Sequence, residues 1–457
     1  MKAIHNHYDT IIVGGRVAGS TLAARLAQAG QTVLLLERQQ LPAPHPASSP
    51  MINGASMHYL DEIGADEAQY AAGVPRSRRF VYEIRESFRV FNPTAVAYGR
   101  DYGYAVDRTQ FDHVLWELAL NAGPGSVTGM MGTAVKRLLW QDERVVGVEA
   151  TRQRQTTTYT ADLVVGADGR FSTVARQVQA AEHHAFTRLP TSAIYAYWEG
   201  VAPYDDSGVP TIHFISPEQG VGVLMLRSAN GRTAVTIEGQ SKKLKANGGQ
   251  MEALYHAILR RSPAAWRRLE HGRVATPLHG MRHIGNLYRE SGGPGWALTG
   301  DALHQKDPVD GQGIHDAVFT SRALAQAILR WQNGKQSWPQ ARAQFDQEVW
   351  AEMHPMYIAT MLTVLEDFYI PLDNPFTLNV ARWLFEDEEY RRRMALLLAR
   401  QHPNAARWRP LPVMLRAMAA GLGRDVRRWW HKAPRPSAHP VYLSGSAGQP
   451  VSQFVAD

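Results

Sequence analysis

The sequence predicts an α/β fold in which a dinucleotide-binding domain carries an inserted antiparallel β-sheet and is followed by a helical C-terminal region. Three observations support this prediction. Two apolar strand-like runs flank a helical pattern near the N-terminus, and segments with the two-residue period of half-buried strands occupy the middle of the chain. From Gly313 to about Trp430 the apolar residues recur at the spacing of helices.

Residues 8–37 predict a strand, a helix and a second strand in succession. The apolar run 8–13 ends in the segment GGRVAGS, a helical pattern follows up to Gly30, and a second apolar run at 32–36 ends at Glu37. A unit of this size is typical of the first half of a dinucleotide-binding domain. Its glycines let the backbone approach a phosphate group at the start of the helix.

The remaining patterns predict further elements and the division of the chain. We expect helices at 55–63 and 110–122 and antiparallel strands at 193–198, 211–215, 221–226 and 233–238, with a turn at 229–231. The expected division is into a discontinuous cofactor-binding domain at 1–75, 97–185 and 275–335, a β-rich substrate domain at 76–96 and 186–274, a helical region at 336–432, and an extended tail at 433–457.

The composition excludes several classes of function. The 457 residues include no cysteine, so disulfides, thiolate catalysis and cysteine-ligated metals are excluded, and a redox activity would need a bound cofactor. The 18 histidines form no ligand pattern, so we expect no metal site. No apolar signal segment follows the N-terminal methionine, which predicts a cytoplasmic protein.

The net charge of +7 does not predict nucleic-acid binding. Residues 391–457 contain twelve Lys/Arg and only two Asp/Glu, so the preceding residues are slightly acidic in sum. No zinc-finger, RNA-recognition or basic-zipper pattern accompanies this basic region.

Two further motifs place an acidic residue after a strand-like run. Residues 163–166 lead to Asp168 and Gly169, and on its own this pattern equally fits a strand-to-helix corner in which Asp168 caps a helix. Residues 295–299 lead to Asp301 in the segment GDALHQKDPVDGQGIHDA, whose Gly-x-Gly opens a long helix. A carboxylate at a strand end can bind a polyol, and free N–H groups at a helix start can stabilise negative charge.

In their order and separation, the three motifs resemble those of the class A flavoprotein monooxygenases, the fold family of para-hydroxybenzoate hydroxylase. The resemblance covers roughly residues 8–324, and residues 300–313 match the family pattern G-D-A-x-H-x-x-x-P-x-x-G-Q-G at every fixed position. It implies a Rossmann-like FAD-binding domain of the para-hydroxybenzoate hydroxylase type and a substrate domain formed by the inserted sheet.

The resemblance also implies positions around FAD for individual residues. Those around the pyrophosphate and the adenosine ribose are Gly14, Gly15, Arg16, Gly19, Glu37 and Arg38. Those at the ribityl chain, elsewhere on FAD, and at a motif linked to both FAD and NAD(P)H are Asp301, Arg108, Asp168 and Gly169. Those whose backbone lies along the isoalloxazine, near the reacting atoms, are Pro308, Gly311, Gly313 and Ile314.

Departures from the family pattern occur at Arg16, which replaces a glycine, and at His315, which replaces the more usual asparagine. Arg16 either clashes with the phosphate or supplies its counter-charge, and the strand and helix around it favour the second. The region before the turn at 229–231 also lacks the usual proline of the substrate domain, which leaves the substrate open.

The activity implied by the resemblance is an NAD(P)H-dependent monooxygenase that forms a flavin hydroperoxide with O₂ and hydroxylates an aromatic or other lipophilic small molecule. The alternatives are an FAD-dependent reductase or dehydrogenase of the geranylgeranyl-reductase type and a flavin-binding protein without turnover. Flavin halogenases share the FAD domain, but the Trp-x-Trp-x-Ile-Pro signature is absent, and no lysine stands between Glu37 and Arg108.

Two sets of residues have open assignments. Tyr195, Tyr197 and His213 in the β-rich segment are candidate polar groups of the substrate pocket, with ordinary packing as the alternative. At 411–430, apolar residues recur every three or four positions and most arginines lie elsewhere on the helix. This basic amphipathic helix either contacts a membrane surface or packs on the body or a second subunit.

Overall fold

A computed structural model describes residues 7–44, 50–85, 87–246, 249–371, 374–402 and 407–431. Across these ranges the predicted mixed α/β fold is confirmed, with helices flanking two large β-sheets. The predicted tail at 433–457 lies outside the described residues.

The helices in chain order are α1 (Val17–Gln28), α2 (Gly54–Asp61), α3 (Glu67–Tyr70), α4 (Arg108–Leu120), α5 (Thr173–Gln177), α6 (Met251–Arg260), α7 (Pro263–Leu269), α8 (Gly313–Gln332), α9 (Trp338–Val364), α10 (Pro375–Glu386), α11 (Glu388–Leu398) and α12 (Leu411–Trp430).

The strands of the first half of the chain are β1 (His7–Val13), β2 (Thr32–Glu37), β3 (Met51–Ile52), β4 (Arg79–Ile84), β5 (Phe88–Pro93), β6 (Tyr104–Ala105), β7 (Ser126–Met131), β8 (Thr133–Gln141), β9 (Arg144–Arg152) and β10 (Gln155–Gly166). Those of the second half are β11 (Glu182–His183), β12 (Thr191–Glu199), β13 (Thr211–Glu218), β14 (Val221–Arg227), β15 (Thr233–Gln240), β16 (Arg273–Val274), β17 (His279–Met281), β18 (Leu287–Arg289), β19 (Gly292–Gly293), β20 (Trp296–Leu298) and β21 (His304–Gln305).

The first sheet has the parallel order β7-β2-β1-β10-β20, with β19 antiparallel at one edge and the β8–β9 hairpin continuing from β10. Strand β2 and the C-terminal halves of β1 and β10 are apolar and buried, and helices α1, α4 and α8 pack with them in one core. The register places Val13 beside Leu36 and Gly166, and Gly166 beside Leu298. The residues that follow these four strands therefore meet at one edge of the sheet.

The second sheet has the order β5-β4-β13-β14-β15-β12, with β16 and β17 paired to β12. Alternate side chains of its strands face opposite sides. Val223, Val235 and Ile237 pack with α6 and α7 on the outer side, whereas Tyr82, Phe214 and neighbouring side chains on the inner side face the first domain and the C-terminal helices. The sheet thus forms one wall over the region beside the loop before α8.

The last helix, α12, packs on α10 through its small residues, since a Cβ added at Gly421 would lie 2.2 Å from Trp383. Its apolar stripe points outward, and at least half of each side chain is exposed at Leu411, Leu415, Leu422, Val426 and Trp429. Contact of this stripe with a membrane or a second subunit stays a prediction. Among the described residues, no helix combines the length and apolar character needed to cross a membrane.

Three features of the first 170 residues add detail that the sequence-based expectations lacked. Strands β4 and β5 lie within residues 76–96, which were assigned to the β-rich domain without individual strands, and they join the second sheet through a parallel pairing of β4 with β13. Residues 126–166 form the four strands β7 to β10, and the hairpin of β8 and β9 packs against α5. Helix α4 begins two residues before the expected start, because the side chain of Asp107 caps it by accepting a hydrogen bond from the Thr109 N–H.

Candidate cofactor and substrate site

The turn after β1 is built for close backbone contact. Gly14 has a φ of +104°, and a Cβ at this position would lie 2.4 Å from the carbonyl oxygen of Ala167 after β10. A Cβ at Gly19 would lie 1.8 Å from the carbonyl oxygen of Gly14. Any side chain at these two positions would push the start of α1 away from the strand ends, so the glycines set the shape of the turn.

Glu37 closes the turn from the end of β2. Its buried carboxylate accepts hydrogen bonds from the N–H groups of Gly15 and Gln39, each at 2.9 Å. These bonds hold β2 and the turn in one arrangement and fix where the carboxylate lies. The neighbouring Arg38 is exposed.

Arg16 and Arg108 converge on one buried carboxylate, that of Asp112. The Arg16 Nη1 atom lies 2.5 Å from one Asp112 oxygen, and the Arg108 guanidinium pairs with both oxygens, with its Nη2 atom 2.8 Å from Oδ1. A second Arg16 nitrogen donates to Gln39. Two guanidinium groups share one carboxylate, so the cluster carries a surplus positive charge beside the start of α1.

Asp112 did not enter the sequence prediction. The signal that could have revealed it is its spacing of four residues from Arg108 on α4, which places the two side chains on one helix face.

Asp301 follows β20 at the same edge of the sheet. Its partly buried carboxylate has no hydrogen-bond partner among the described residues, and burial raises the pKa of the group. The preceding Gly300 has a φ of +59° and lies against Ala18 of α1. An acceptor without a protein partner is therefore held beside the first turn of α1.

The loop before α8 leaves a helix N-terminus open. Residues Pro308–Asp310 form a single helical turn, Gly311 has a left-handed φ of +68°, and α8 begins at Gly313 with no side chain capping its first N–H groups. Gly313 is exposed, and a Cβ there would meet no protein atom within 4 Å, whereas the adjacent Ile314 is buried. The backbone at the start of α8 thus borders open space and can stabilise negative charge.

Charged pairs fix this loop to α8 and to the C-terminal region. Lys306 lies 3.0 Å from Asp310 and 3.4 Å from Asp316, and Arg400 lies 2.5 Å from the other oxygen of Asp316. Burial of Asp316 raises its pKa, but Lys306 and Arg400 outweigh burial and bring the pKa to about 2. Gln312 also donates to the carbonyl oxygen of Leu398 at 2.9 Å.

The second motif is a local turn. The Asp168 carboxylate accepts from the Ser172 hydroxyl at 2.5 Å and from the Thr173 N–H at 2.6 Å, and Gly169 has a φ of +78°. These bonds anchor the start of α5 beside the strand ends, which is the capping alternative considered from the sequence. The role of Asp168 and Gly169 toward FAD or NAD(P)H stays a prediction.

A cavity of about 160 Å³ lies between the inner face of the second sheet, the loop before α8 and helices α9 to α11. Apolar and aromatic side chains provide most of its walls, among them Phe80, Ile212, Phe214, Phe385, Tyr390, Leu397 and Trp408. Gly311 and Val309 form part of its lining. The cavity therefore reaches the loop at the start of α8, and an apolar cavity of about this volume takes a benzene-sized ring.

The three pocket candidates lie on different faces of the second sheet. Tyr195 and Tyr197 alternate with the outer-facing Ile194, Ala196 and Trp198 and so point toward the first domain. In agreement with this direction, the positive charge of Arg108 lowers the pKa of both tyrosine hydroxyls. Burial has the larger effect and raises the pKa of Tyr195 to about 12.

His213 does not line the cavity. Its neighbours Ile212 and Phe214 line it, so the alternation of side chains turns the imidazole to the outer face. There its Nε2 lies 3.1 Å from Glu83 and its Nδ1 lies 3.2 Å from Arg268. Burial, with the nearby arginines, lowers the pKa of His213 to about 4 despite the hydrogen bond to Glu83. The alternation of side chains along β13 therefore gives His213 the packed environment that the sequence analysis considered as the alternative to a pocket role.

Known enzymes of several activities are similar to the chain. Tryptophan 2-halogenase of Chondromyces crocatus is 27% identical over 325 residues, which cover 70% of this chain and 60% of that enzyme. Digeranylgeranylglycerophospholipid reductase 1 of Methanococcoides burtonii is 26% identical over 343 residues, or 71% of this chain and 76% of the reductase. The 3-demethoxyubiquinol 3-hydroxylase of Escherichia coli is 26% identical over 350 residues, or 72% of this chain and 82% of the hydroxylase.

The fold is also similar to solved structures. The flavin-dependent brominase Bmp2 superimposes with a TM-score of 0.74 at 18% sequence identity, covering 93% of this chain and all of the brominase. At this identity the likeness shows a shared fold.

The strand ends of the first sheet fit FAD: they offer a glycine turn, a surplus positive charge, a carboxylate without a partner and an open helix start. The family model described as FAD binding domain matches residues 7–338, which is more than half of the chain. The chain therefore belongs to this FAD binding domain family, and the protein is an FAD-dependent oxidoreductase.

Proposed function

We propose that the protein is an NAD(P)H-dependent monooxygenase that uses O₂ to hydroxylate a small aromatic or other lipophilic molecule. The observation that carries the proposal is the apolar cavity beside Val309 and Gly311, which joins the start of α8 to a space sized for one ring. FAD, when bound, supplies the activation of O₂ by electrons taken from NAD(P)H.

The residues at the strand ends have distinct tasks in this proposal. Gly14, Gly15 and Gly19 admit the pyrophosphate, with the surplus charge of Arg16 and Arg108 as its counter-charge, and Asp301 accepts hydrogen bonds from the ribityl hydroxyls. Glu37 provides the acceptor toward the adenosine ribose, with Arg38 beside it. These assignments follow from the positions of the groups at one sheet edge and from the chemistry of FAD.

The loop and helix before the cavity position the ring system. The backbone from Pro308 to Ile314 borders the open space at the start of α8, where uncapped N–H groups stabilise negative charge on a reduced ring. The Asp316 carboxylate and its two cationic partners keep this loop in place. The apolar walls of the cavity exclude water from the reacting atoms.

The similarity to known enzymes supports two other candidate activities, halogenation and hydride transfer. Likeness to Tryptophan 2-halogenase favours halogenation, although the described lining of the cavity contains no lysine or arginine. Likeness to a Digeranylgeranylglycerophospholipid reductase favours hydride transfer to a carbon–carbon double bond. Either activity would use the same FAD site.

The test is to supply the FAD-loaded protein with NADH or NADPH and a panel of phenols, anilines and isoprenoid alkenes. A monooxygenase incorporates ¹⁸O from ¹⁸O₂ into the product, and the substrate stimulates consumption of the nicotinamide. Product formed anaerobically would establish the reductase instead, and a brominated or chlorinated product in halide buffer would establish the halogenase. A protein that oxidises no nicotinamide with any of these compounds would contradict the proposal.

A further inference from the structure

The cavity contains three carboxyl groups and no cationic side chain among its described lining residues: Asp310, Glu366 and Asp367. Asp310 is neutralised by Lys306 at 3.0 Å and accepts from the Thr360 hydroxyl at 2.5 Å. Glu366 pairs with Arg409 through contacts of 2.5 and 2.6 Å. Two of the three carboxyl groups are therefore already compensated by the protein.

Asp367 is the third carboxyl group, and it has no cationic partner within 4.0 Å in the part of the chain that the structure describes. It lies in the π-helical turn Leu365–Tyr369 at the end of α9, and its Oδ1 accepts a hydrogen bond from the Tyr82 hydroxyl at 2.5 Å. Burial raises its pKa to about 7, although the Tyr82 hydrogen bond acts in the opposite direction. The carboxyl group can thus hold or release a proton near neutral pH.

Aromatic side chains lie close to Asp367. The Tyr82 ring stacks on Phe214 with centroids 4.9 Å apart and on Phe385 with centroids 5.0 Å apart. All three side chains line the cavity together with Asp367. A bound aromatic ring would therefore share its space with one carboxyl group able to accept a proton.

We propose that Asp367 is the proton acceptor for the bound substrate and that the cavity selects an uncharged aromatic ring bearing an O–H or N–H donor. The inference rests on the proposed function, since it takes this cavity as the substrate site. Anionic rings such as benzoates are excluded because the lining offers them no positive charge and one carboxylate. Asp367 also determines substrate specificity, because a site with a buried hydrogen-bond acceptor binds an analogue without an O–H or N–H donor more weakly.

The chemical step is a proton transfer. The substrate O–H bond breaks, its electron pair stays on the substrate oxygen, and the proton forms an O–H bond with the Asp367 carboxylate, so nothing is oxidised or reduced. The anionic oxygen raises the electron density of the ring, which favours attack on an electrophilic oxygen. The titratable and charged groups that face Asp367 from the surrounding elements are Tyr82, Glu238, Asp307, Glu366, Tyr390 and Arg409.

The experiment measures ligand binding to the oxidised FAD-loaded protein without nicotinamide, by the change in flavin absorbance, for phenol, anisole and benzoate between pH 6 and pH 8.5. Phenol stays neutral over this range, since a phenolic pKa is about 10. We expect phenol to bind more tightly than anisole, and the ratio of their affinities to rise about fivefold with pH as the acceptor becomes charged. Benzoate should bind most weakly.

Two variants and a control separate the role of Asp367 from general effects. Asp367→Asn should make the ratio independent of pH, whereas Asp101→Asn, which changes a half-exposed carboxyl group, should leave the wild-type profile. Tyr82→Phe removes the donor that stabilises the Asp367 carboxylate and should move the midpoint of the profile to higher pH.

The inference is overturned if the wild-type ratio does not change with pH, or if both Asp367→Asn and Tyr82→Phe keep the wild-type profile. A protein that hydroxylates a phenol yet shows this result retains the proposed function and loses the assignment of Asp367. If none of the three rings binds, both the inference and the use of this cavity as the substrate site are contradicted.

Discussion

Gly313→Ala should weaken FAD binding without weakening the fold. Gly313 is the first residue of α8, is exposed, and would bring its new methyl group within 4 Å of no protein atom. The apo protein therefore has room for the methyl group. If the backbone at the start of α8 borders the isoalloxazine, bound FAD fills this space and the methyl group would clash with it.

The two expected magnitudes have different origins. Alanine favours a helix over glycine by about 1 kcal/mol in a helix interior and by less at the first position, so the melting temperature of the apo protein should rise slightly or stay constant. Forcing a methyl group into a filled contact costs about 1–3 kcal/mol. That cost corresponds to a Kd for FAD about 5- to 150-fold higher.

Gly423→Ala is the matched control, because Gly423 lies in helix α12 and a Cβ there also meets no atom within 4 Å. Apo protein of each variant would be titrated with FAD by quenching of flavin fluorescence and melted without FAD. Gly423→Ala should keep the wild-type Kd. If Gly313→Ala binds FAD as tightly as the wild type, the placement of the ring system beside the start of α8 is refuted.

Two further predictions concern charge. Asp112→Ala leaves Arg16 and Arg108 without their shared carboxylate and should lower the free energy of unfolding by about 3–5 kcal/mol in chemical denaturation. The control Asp101→Ala breaks a half-exposed pair with Arg78 and should lower it by less than about 1 kcal/mol. Equal effects of the two variants would contradict the burial of the Asp112 cluster. Asp367 holds its proton in the folded state up to a pKa of about 7 but loses it near pH 4 when unfolded, so the wild type loses stability as the pH rises between these values. The stability of Asp367→Asn relative to the wild type should therefore increase by about 2–3 kcal/mol between pH 5 and pH 8, and a constant difference would contradict the raised pKa.

The sequence predicted those site residues best that lie within one short motif together with the strand, turn or helix that positions them. Gly14, Gly19 and Glu37 follow from a strand, a turn and a helix that are neighbours along the chain, and Asp301 and Gly313 follow from a long motif of the same kind. The structure brings the ends of these segments together because parallel strands share one carboxyl edge.

The rest of the site depends on contacts between distant residues. Asp367 meets Tyr82 across 285 positions, and Arg400 meets Asp316 across 84, so no local pattern indicates either pair. His213 was one of three candidates for the pocket, with ordinary packing as the alternative, because the sequence predicted its strand but not which face of the sheet meets the first domain. A shift of one residue along the strand would turn the side chain to the opposite face of the sheet.

Asp301→Ala is the sharpest test of FAD binding at the ends of the first sheet and the start of α8. The Asp301 carboxylate has no partner among the described residues, and burial disfavours its charge, so its removal should leave the melting temperature of the apo protein unchanged. We predict that the purified wild type takes up one FAD and that Asp301→Ala binds it at least about tenfold more weakly, a loss of roughly 1.4 kcal/mol. FAD binding by a folded Asp301→Ala variant at wild-type affinity, or a wild type that takes up no FAD, would contradict this placement of the cofactor.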